Sequence, residues 1–407
     1  MNVKNYGDNS DNSIGEINDN LLLQRIVAGV KYKFTDNILL SAHIQDSRAF
    51  DWSLRQSEYP DLFKIHSNES PSPYYIKNPN EEFLELHDLY IYYNNIVENF
   101  SIRAGRQKIS FGDTRIFGRG EWGNSGRWEW DALKLTYSNG LNSCNIWAGG
   151  TKINDPNQTN IPFTNTEYFG IGSYNTMILF DDTKIEPFFT TKWQGSADYI
   201  KEQNINHYWL GARLVDSNYY NFDYDLTVVK QFGNDNGKEI DAVGIASRIG
   251  YKAIDIPWTP LLSLRYVYAS GGDTQNKINT FDPVYGSRDK YYGRMNLVTW
   301  SNLSDFEIAL ELFPFEIMWV ELKYNYLSIP NPENFSFGKN LLLLPGKRHL
   351  GDELDFWIEF KALDELELVL ASGYFIPSDV KEIIDKPASE ASWIAFQLSY
   401  NFNTLIL

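Results

Sequence analysis

The chain is poor in sulfur, in long apolar runs and in positive charge, and each shortage removes a class of protein. One cysteine, Cys144, in 407 residues allows neither an internal disulfide nor a thiolate metal cage. The five histidines, His43, His66, His87, His207 and His349, have no metal-ligand spacing, no G-x-S-x-G nucleophile elbow occurs, and no EF-hand spacing is present. The sequence therefore reads as a non-enzyme, with no catalytic residue, metal or cofactor expected. No apolar run nears the roughly 18 residues that a membrane-spanning helix needs, which excludes a helical membrane protein. With 36 Lys and Arg against 53 Asp and Glu, a net charge of -17 and a pI near 4.8, the composition argues against whole-surface binding to nucleic acid, which depends on neutralising phosphates, and an acidic partner would need a local basic site. The N-terminus, MNVKNYGDNSDNSIGEINDN, is polar and shows no signal peptide, which an exported chain would have lost already.

Aromatic residues, in contrast, are abundant: Tyr 26, Phe 25 and Trp 12, or 15% of the chain, at a mean hydropathy of -0.39. That is a β-rich composition. A low average is compatible with a membrane β-barrel, whose lipid-facing and lumen-facing residues alternate. Period-2 alternation dominates. In SWIAFQLSYNF, Ile394, Phe396, Leu398, Tyr400 and Phe402 share one face and Ala395, Gln397, Ser399 and Asn401 the other. In ELDFWIEFKA the apolar face is Leu354, Phe356, Ile358 and Phe360, opposite Glu353, Asp355, Trp357, Glu359 and Lys361. The same scheme sets Phe306, Ile308, Leu310 and Leu312 against Glu307 and Glu311, and Val320, Leu322, Tyr324 and Tyr326 against Glu321 and Lys323. Charged faces of this kind fit a water-filled lumen and not a sandwich core, and no blade-length repeat supports a propeller. Tyr92, Tyr93, Trp128, Trp130, Tyr266 and Tyr268 recur near segment ends, as an aromatic girdle would, although aromatic pairs in any sheet look alike.

The connections alternate as well. Short turns are expected at Thr35-Asp36-Asn37, Asn94 to Val97, Asn139-Gly140, Asp181-Asp182, Ser217-Asn218, Asp255 to Thr259, near Pro314 and at Asp364. Long polar connections are expected between them, at about 56 to 82, 112 to 127, 152 to 167, 194 to 205, 232 to 238, 271 to 302, 329 to 349 and 377 to 391. Hairpin barrels put short turns on one rim and long loops on the other. With Asn2 to Tyr6 as a first strand and a last one ending in Phe402, the expectation is an all-β, transmembrane antiparallel β-barrel. It has about 18 strands, short periplasmic turns and long extracellular loops, and residues 1–407 form one domain.

The stretch GRGEWGNSGR contains a literal G-x-G-x-x-G at Gly118, Gly120 and Gly123. A dinucleotide fingerprint needs a helix after the glycines, but Leu133, Leu135 and Tyr137 alternate with Ala132, Lys134 and Thr136 as a strand would, so the glycines read as loop. The surrounding RAGRQKISFGDTRIFGRGEWGNSGRWEWDALKL resembles the alginate export family of outer-membrane porins. YVYASGGDTQNKINTFDPVYGSRDKYYG and HLGDELDFWIEFKALDELELVLASGYFIPSD resemble it too. The three cover roughly a quarter of the chain and span most of its length. The resemblance implies a bacterial outer-membrane barrel that conducts an anionic polysaccharide. Its partners would be outer-membrane lipid, the polysaccharide and periplasmic export proteins, with no nucleic acid.

A polyuronate path needs fixed cations at its narrow part. Opposite the apolar faces stand Arg25, Lys31, Lys33, Arg103, Lys134, Arg213, Arg248, Arg265 and Lys323, while Arg106, Arg115, Arg119 and Arg127 belong to the family-like stretch at or above the outer rim. Glu307, Glu311, Glu321, Asp355, Glu359 and Glu367 would line a separate acidic sector on later strands, giving a transverse field. Each arginine has a bland alternative, pairing with a lumen acid. Trp209 and Trp357 are expected inward, as sugar platforms or as lumen filling. Gating would fall to Gln56 to Glu82 or Gly271 to Asn302. The alternative function is a general or small-solute uptake porin of the same fold.

Overall fold

In the computed structural model the described residues are 2–4, 18–20, 22–50, 82–119, 126, 128–155, 158–180, 182–198, 200–287, 291–333, 336–337, 341–382 and 388–403. They form one antiparallel barrel. Its strands are β1 (Asn2–Lys4), β2 (Asn18–Asn20 leading into Leu23–Lys33), β3 (Ile38–Ala49), β4 (Glu82–Val97), β5 (Phe100–Lys108), β6 (Glu129–Ser138), β7 (Ser143–Thr151), β8 (Tyr168–Phe180) and β9 (Thr183–Gln194). The second half comprises β10 (Ile205–Tyr219), β11 (Phe222–Asp235), β12 (Lys238–Lys252), β13 (Leu261–Ala269), β14 (Ser304–Phe315), β15 (Met318–Ser328), β16 (His349–Leu363), β17 (Leu366–Pro377) and β18 (Ala391–Tyr400). Each strand pairs with the next, and β1 bridges the ends: Val3 stands opposite Asp19 on one side and Trp393 on the other. β1 thus bridges Asn18–Asn20 and the last strand, covering edges that hydrocarbon would not tolerate.

Burial is inverted relative to a water-soluble fold. Ile394, Phe396, Leu398 and Tyr400 on β18 are exposed, as are Leu354 on β16 and Leu322 on β15. The alternate residues Glu353, Asp355, Glu307, Glu321 and Lys323 are buried. The apolar face is thus the lipid-facing outside, and the lumen holds the charges. Exposed aromatics ring the short-turn rim: Tyr32, Phe34, Tyr93, Phe100, Phe180, Phe222, Tyr251, Trp258 and Phe315, the girdle of a membrane interface. Of the aromatics expected there, Tyr93 and Tyr266 face outward, but Trp128 and Trp130 are buried in the lumen and Tyr92 packs on Arg103.

Most of the expected connections match. Differences lie where strands keep pairing longer than turn residues suggest. The turns expected at Asn94 to Val97, Ser217-Asn218 and Pro314 fall at 98–99, 220–221 and 316–317, whereas β18 stops short of Phe402, at Tyr400. The long connection expected at 232 to 238 is a tight hairpin between β11 and β12. Asn236 and Gly237 both take positive φ, 49° and 88°, the two left-handed residues that a type I′ turn requires. Residues 51–81 lie outside the described residues, and with them most of the first proposed gating loop.

Leu264 on β13 stands opposite Ile249 and Ile308 in register, all three exposed on the outer face. Leu264→Lys is expected to destabilise the folded barrel by about 2–4 kcal/mol if it lies near the bilayer midplane, and Leu264→Phe by little. Urea unfolding in lipid vesicles checks this; equal midpoints would contradict the outward placement.

Candidate functional site

Two long connections turn into the barrel instead of away from it. Residues 109–119, after β5, bring Phe111 and Phe117 against strand aromatics in the lumen. Phe111 stacks on Tyr174 at 4.8 Å, Tyr174 stacks on Phe188 at 5.9 Å, and Phe117 meets Trp147 edge-on at 5.1 Å. Residues 270–287 and 291–303, between β13 and β14, bring Tyr285 against Trp130 at 4.6 Å and Phe281 against Trp300 at 5.0 Å. The two segments are tied to each other. The Gly118 amide donates to the Tyr285 carbonyl at 2.9 Å and the Ser287 amide to the Thr114 carbonyl at 2.8 Å. Gly118 is glycine for this reason, since a Cβ there would lie 2.6 Å from the Thr114 oxygen and 3.2 Å from Ser287. The second segment is also held by strand acids: the Met295 amide donates to Glu353 at 2.7 Å and the Arg294 amide to Asp355 at 3.0 Å.

Between these segments and the wall of β11 to β15 remains a cavity of about 260 Å³, lined by Arg115, Arg248, Arg265, Arg294 and Lys323 together with Asp113, Asp225, Glu311, Glu321, Tyr291 and Trp319. Every cation has an acid within reach. Arg248 bonds Asp223 at 2.7 Å and Glu311 at 3.2 Å, Arg265 bonds Glu307 at 2.6 Å, and Arg294 bonds Glu321 at 2.7 Å while lying over Trp357 at 4.1 Å. Lys323 stands between Glu307 and Glu321 at 3.7 and 3.6 Å. Arg115 bonds Asp113 at 2.8 Å and lies 4.0 Å over the Tyr291 ring. Burial alone would raise the Asp113 carboxyl, but the Arg115 and Arg213 guanidiniums outweigh it and hold it below the usual carboxylate range. Burial likewise opposes the charge on Arg115, and Tyr292 and Asp113 more than restore it.

The sequence-predicted cations are scattered over several settings. Arg248, Arg265, Arg115 and Lys323 meet at this cavity. Arg213 lies beside it, bonded to Asp225 at 2.6 Å and Glu186 at 2.8 Å. Arg25 is on the inward phase of β2, within electrostatic reach of Arg119 and Glu129, and Lys31 and Lys33 follow on the same phase, exposed near the short-turn rim. Arg119 pairs ionically with Glu129 at 2.6 Å and donates to the Gln45 side-chain oxygen at 2.7 Å. Arg103 and Lys134 face the lumen on β5 and β6. Arg106 does not line the lumen. It stands opposite outward Leu89 and Asp131 in register, is fully buried, and spends its guanidinium on Asp131, Glu85 and Asn160 at 2.6 to 2.8 Å. Arg127, Gly120 and Gly123 lie outside the described residues.

The expected transverse field is largely cancelled, because Glu307, Glu311 and Glu321 are matched by Arg265, Arg248, Arg294 and Lys323. Trp209 and Trp357 are inward as expected, Trp209 donating its indole N–H to the Asp282 carbonyl at 2.8 Å. Asp113, Tyr291 and Arg294 were missed by the sequence reading. They sit on connections, and period-2 phase says nothing about which way a connection folds.

The model of a protein family described as alginate export matches residues 4–382. Solved structures of similar fold include Acinetobacter baumannii OccAB2, with a TM-score of 0.59 and 11% identity over 93% of this chain and 91% of that one. Pseudomonas aeruginosa OccD3 (OpdP) gives 0.55 and 9% over 95% and 88%, and Pseudomonas aeruginosa OpdK with vanillate gives 0.59 and 11% over 98% and 96%. At these identities the likeness is one of fold. No curated protein matches the sequence.

Asp113→Asn leaves Arg115, only 3% exposed, without its carboxylate, and breaking a buried pair from one side costs about 3–5 kcal/mol. Residues 109–119 should then loosen and the mean single-channel conductance rise. Because the Asp113 pKa is depressed, the pair's contribution is present above the ordinary carboxylate range near pH 4 and is lost only as pH falls through the lower folded value. An Asp113→Asn channel with the conductance of the parent would show that the pair does not restrain the segment.

Proposed function

Because the chain belongs to the alginate export family of outer-membrane β-barrel porins, we propose that it conducts an anionic polysaccharide of the alginate polyuronate type out of the periplasm, threaded in extended single file. The observation that carries this reading is the group of five cations, Arg115, Arg248, Arg265, Arg294 and Lys323, around one lumen cavity. A polyuronate presents a carboxylate on every sugar, and the guanidinium fork matches carboxylate geometry. Each cation already has a protein acid as partner, so a passing carboxylate exchanges with that acid and does not meet a bare charge. Such exchange keeps binding strong enough for admission and weak enough for release, as conduction requires.

A second reading, small-solute passage without polymer specificity, is favoured by the modest volume of this cavity, about 260 Å³. Planar-bilayer recordings with galacturonate oligomers of increasing length separate the two. Polymer conduction predicts that current block tightens steadily from monomer to hexamer, and Arg248→Gln with Arg265→Gln weakens it. Block that is equal for monomer and hexamer supports the small-solute reading, and a channel insensitive to all uronates but permeable to neutral sugars in liposome swelling contradicts the polymer.

A further inference from the structure

While the cations around the cavity all have acids within reach, two inward cations that face each other across adjacent strands do not. Arg103 on β5 and Lys134 on β6 stand directly opposite each other in register, an arrangement that like charges disfavour. Among the described residues neither has an acid partner. Asp88, on the neighbouring strand β4, is committed to Ser41 at 2.7 Å and His43 at 3.0 Å. Both cations are held by π-faces instead. The Arg103 guanidinium lies 4.6 Å from the Tyr90 ring and 5.2 Å from that of Tyr92, and the Lys134 ammonium lies 4.8 Å from the Phe111 ring. Cation–π contact fixes the position of a charge without using its N–H donors, and the buried Arg103 Nε has no hydrogen-bond partner. The pair is therefore placed, unneutralised and unspent as donors.

Its position differs from that of the constriction. Arg103 is three residues from Phe100, where β5 starts at the short-turn rim, and Lys134 is four from Ser138, where β6 ends there. At about 3.3 Å per residue this is about 10–13 Å along the strand, on the periplasmic half of the lumen below Phe111. Along the same register row Lys33 is opposite Leu39, Leu39 opposite Tyr92 and Tyr92 opposite Arg103, so a further lumen-phase lysine lies three strands along the row.

We propose that Arg103 and Lys134 form a second anion site, near the periplasmic mouth, that takes a single carboxylate or phosphate group between guanidinium and ammonium. The bound anion removes the like-charge repulsion and occupies donors that the protein leaves unused. The site does not depend on which solute crosses the constriction.

The test uses the full chain in planar bilayers, with trigalacturonate or inorganic phosphate added on the short-turn side. Arg103→Gln combined with Lys134→Gln is expected to weaken block at least tenfold, while Arg103→Lys with Lys134→Arg, which keeps both charges, retains it. Loss with both probes, or with trigalacturonate alone, supports the site and names carboxylated sugars among its ligands; loss with phosphate alone supports it as an inorganic-anion site. The Gln variant should also unfold at no lower temperature than the parent, since it removes a repulsion. Equal block in parent and Gln variant overturns the proposal, as does a lowered unfolding temperature with block unchanged, which would make the pair structural. Failure of the polymer reading appears separately, in the dependence of block on oligomer length.

Discussion

Within a bilayer each strand N–H and C=O must be paired to another strand, since an unsatisfied group in hydrocarbon costs several kcal/mol. In this chain the requirement comes down to three residues. Asn2–Lys4 pairs with Asn18–Asn20 on one side and with Ala391–Tyr400 on the other, bridging the two ends of a long ribbon. Closure then dictates the alternation of every strand: one residue towards lipid, the next towards the lumen. Leu, Ile and Phe side chains occupy the outside and Glu, Asp and Arg the inside, which is why a sequence of mean hydropathy -0.39 can span a membrane.

A ring of eighteen strands would enclose a wide lumen, and here two connections narrow it. Residues 109–119 and 270–287 pack aromatic rings against Trp130, Trp147, Tyr174 and Phe188 and bind to each other through backbone bonds. What remains is lined by charge in which cations and acids are interleaved. Such interleaving satisfies the desolvation demands of buried ions and leaves arginines able to exchange one carboxylate for another. The net charge of -17 therefore says little about the path itself. Arg103 and Lys134, which have no acid partner among the described residues, sit on early strands near the periplasmic side.

Strand faces were legible because lipid and lumen impose opposite chemistry on alternate residues; the faces of Leu354 to Phe360 and Ile394 to Tyr400 can be read directly. Turn positions were legible only approximately, since pairing continued past Ser217-Asn218 and Pro314 wherever the partner strand allowed it. The polar stretch 232 to 238 misled because Asn-Gly reads equally as loop or as tight hairpin, and only pairing of the flanking strands decides. Counting on from Arg103 would have placed Arg106 outward, but nothing local shows that Asn160 would cover it. The constriction was half legible. Arg248, Arg265 and Lys323 follow from strand phase, while Asp113, Arg115, Tyr291 and Arg294 reach the lumen through tertiary folding of connections. The glycine motif changed meaning most, with Gly118 fitting the close approach of two lumen segments.

The proposed function requires a narrow path that favours anions although the molecule as a whole is acidic. The reversal potential of the reconstituted channel across a tenfold KCl gradient tests this most directly. A path lined by Arg115, Arg248, Arg265, Arg294 and Lys323 should displace that potential towards the chloride equilibrium value. Displacement towards the potassium value would contradict it, since the lumen acids and not the cations would then govern passage.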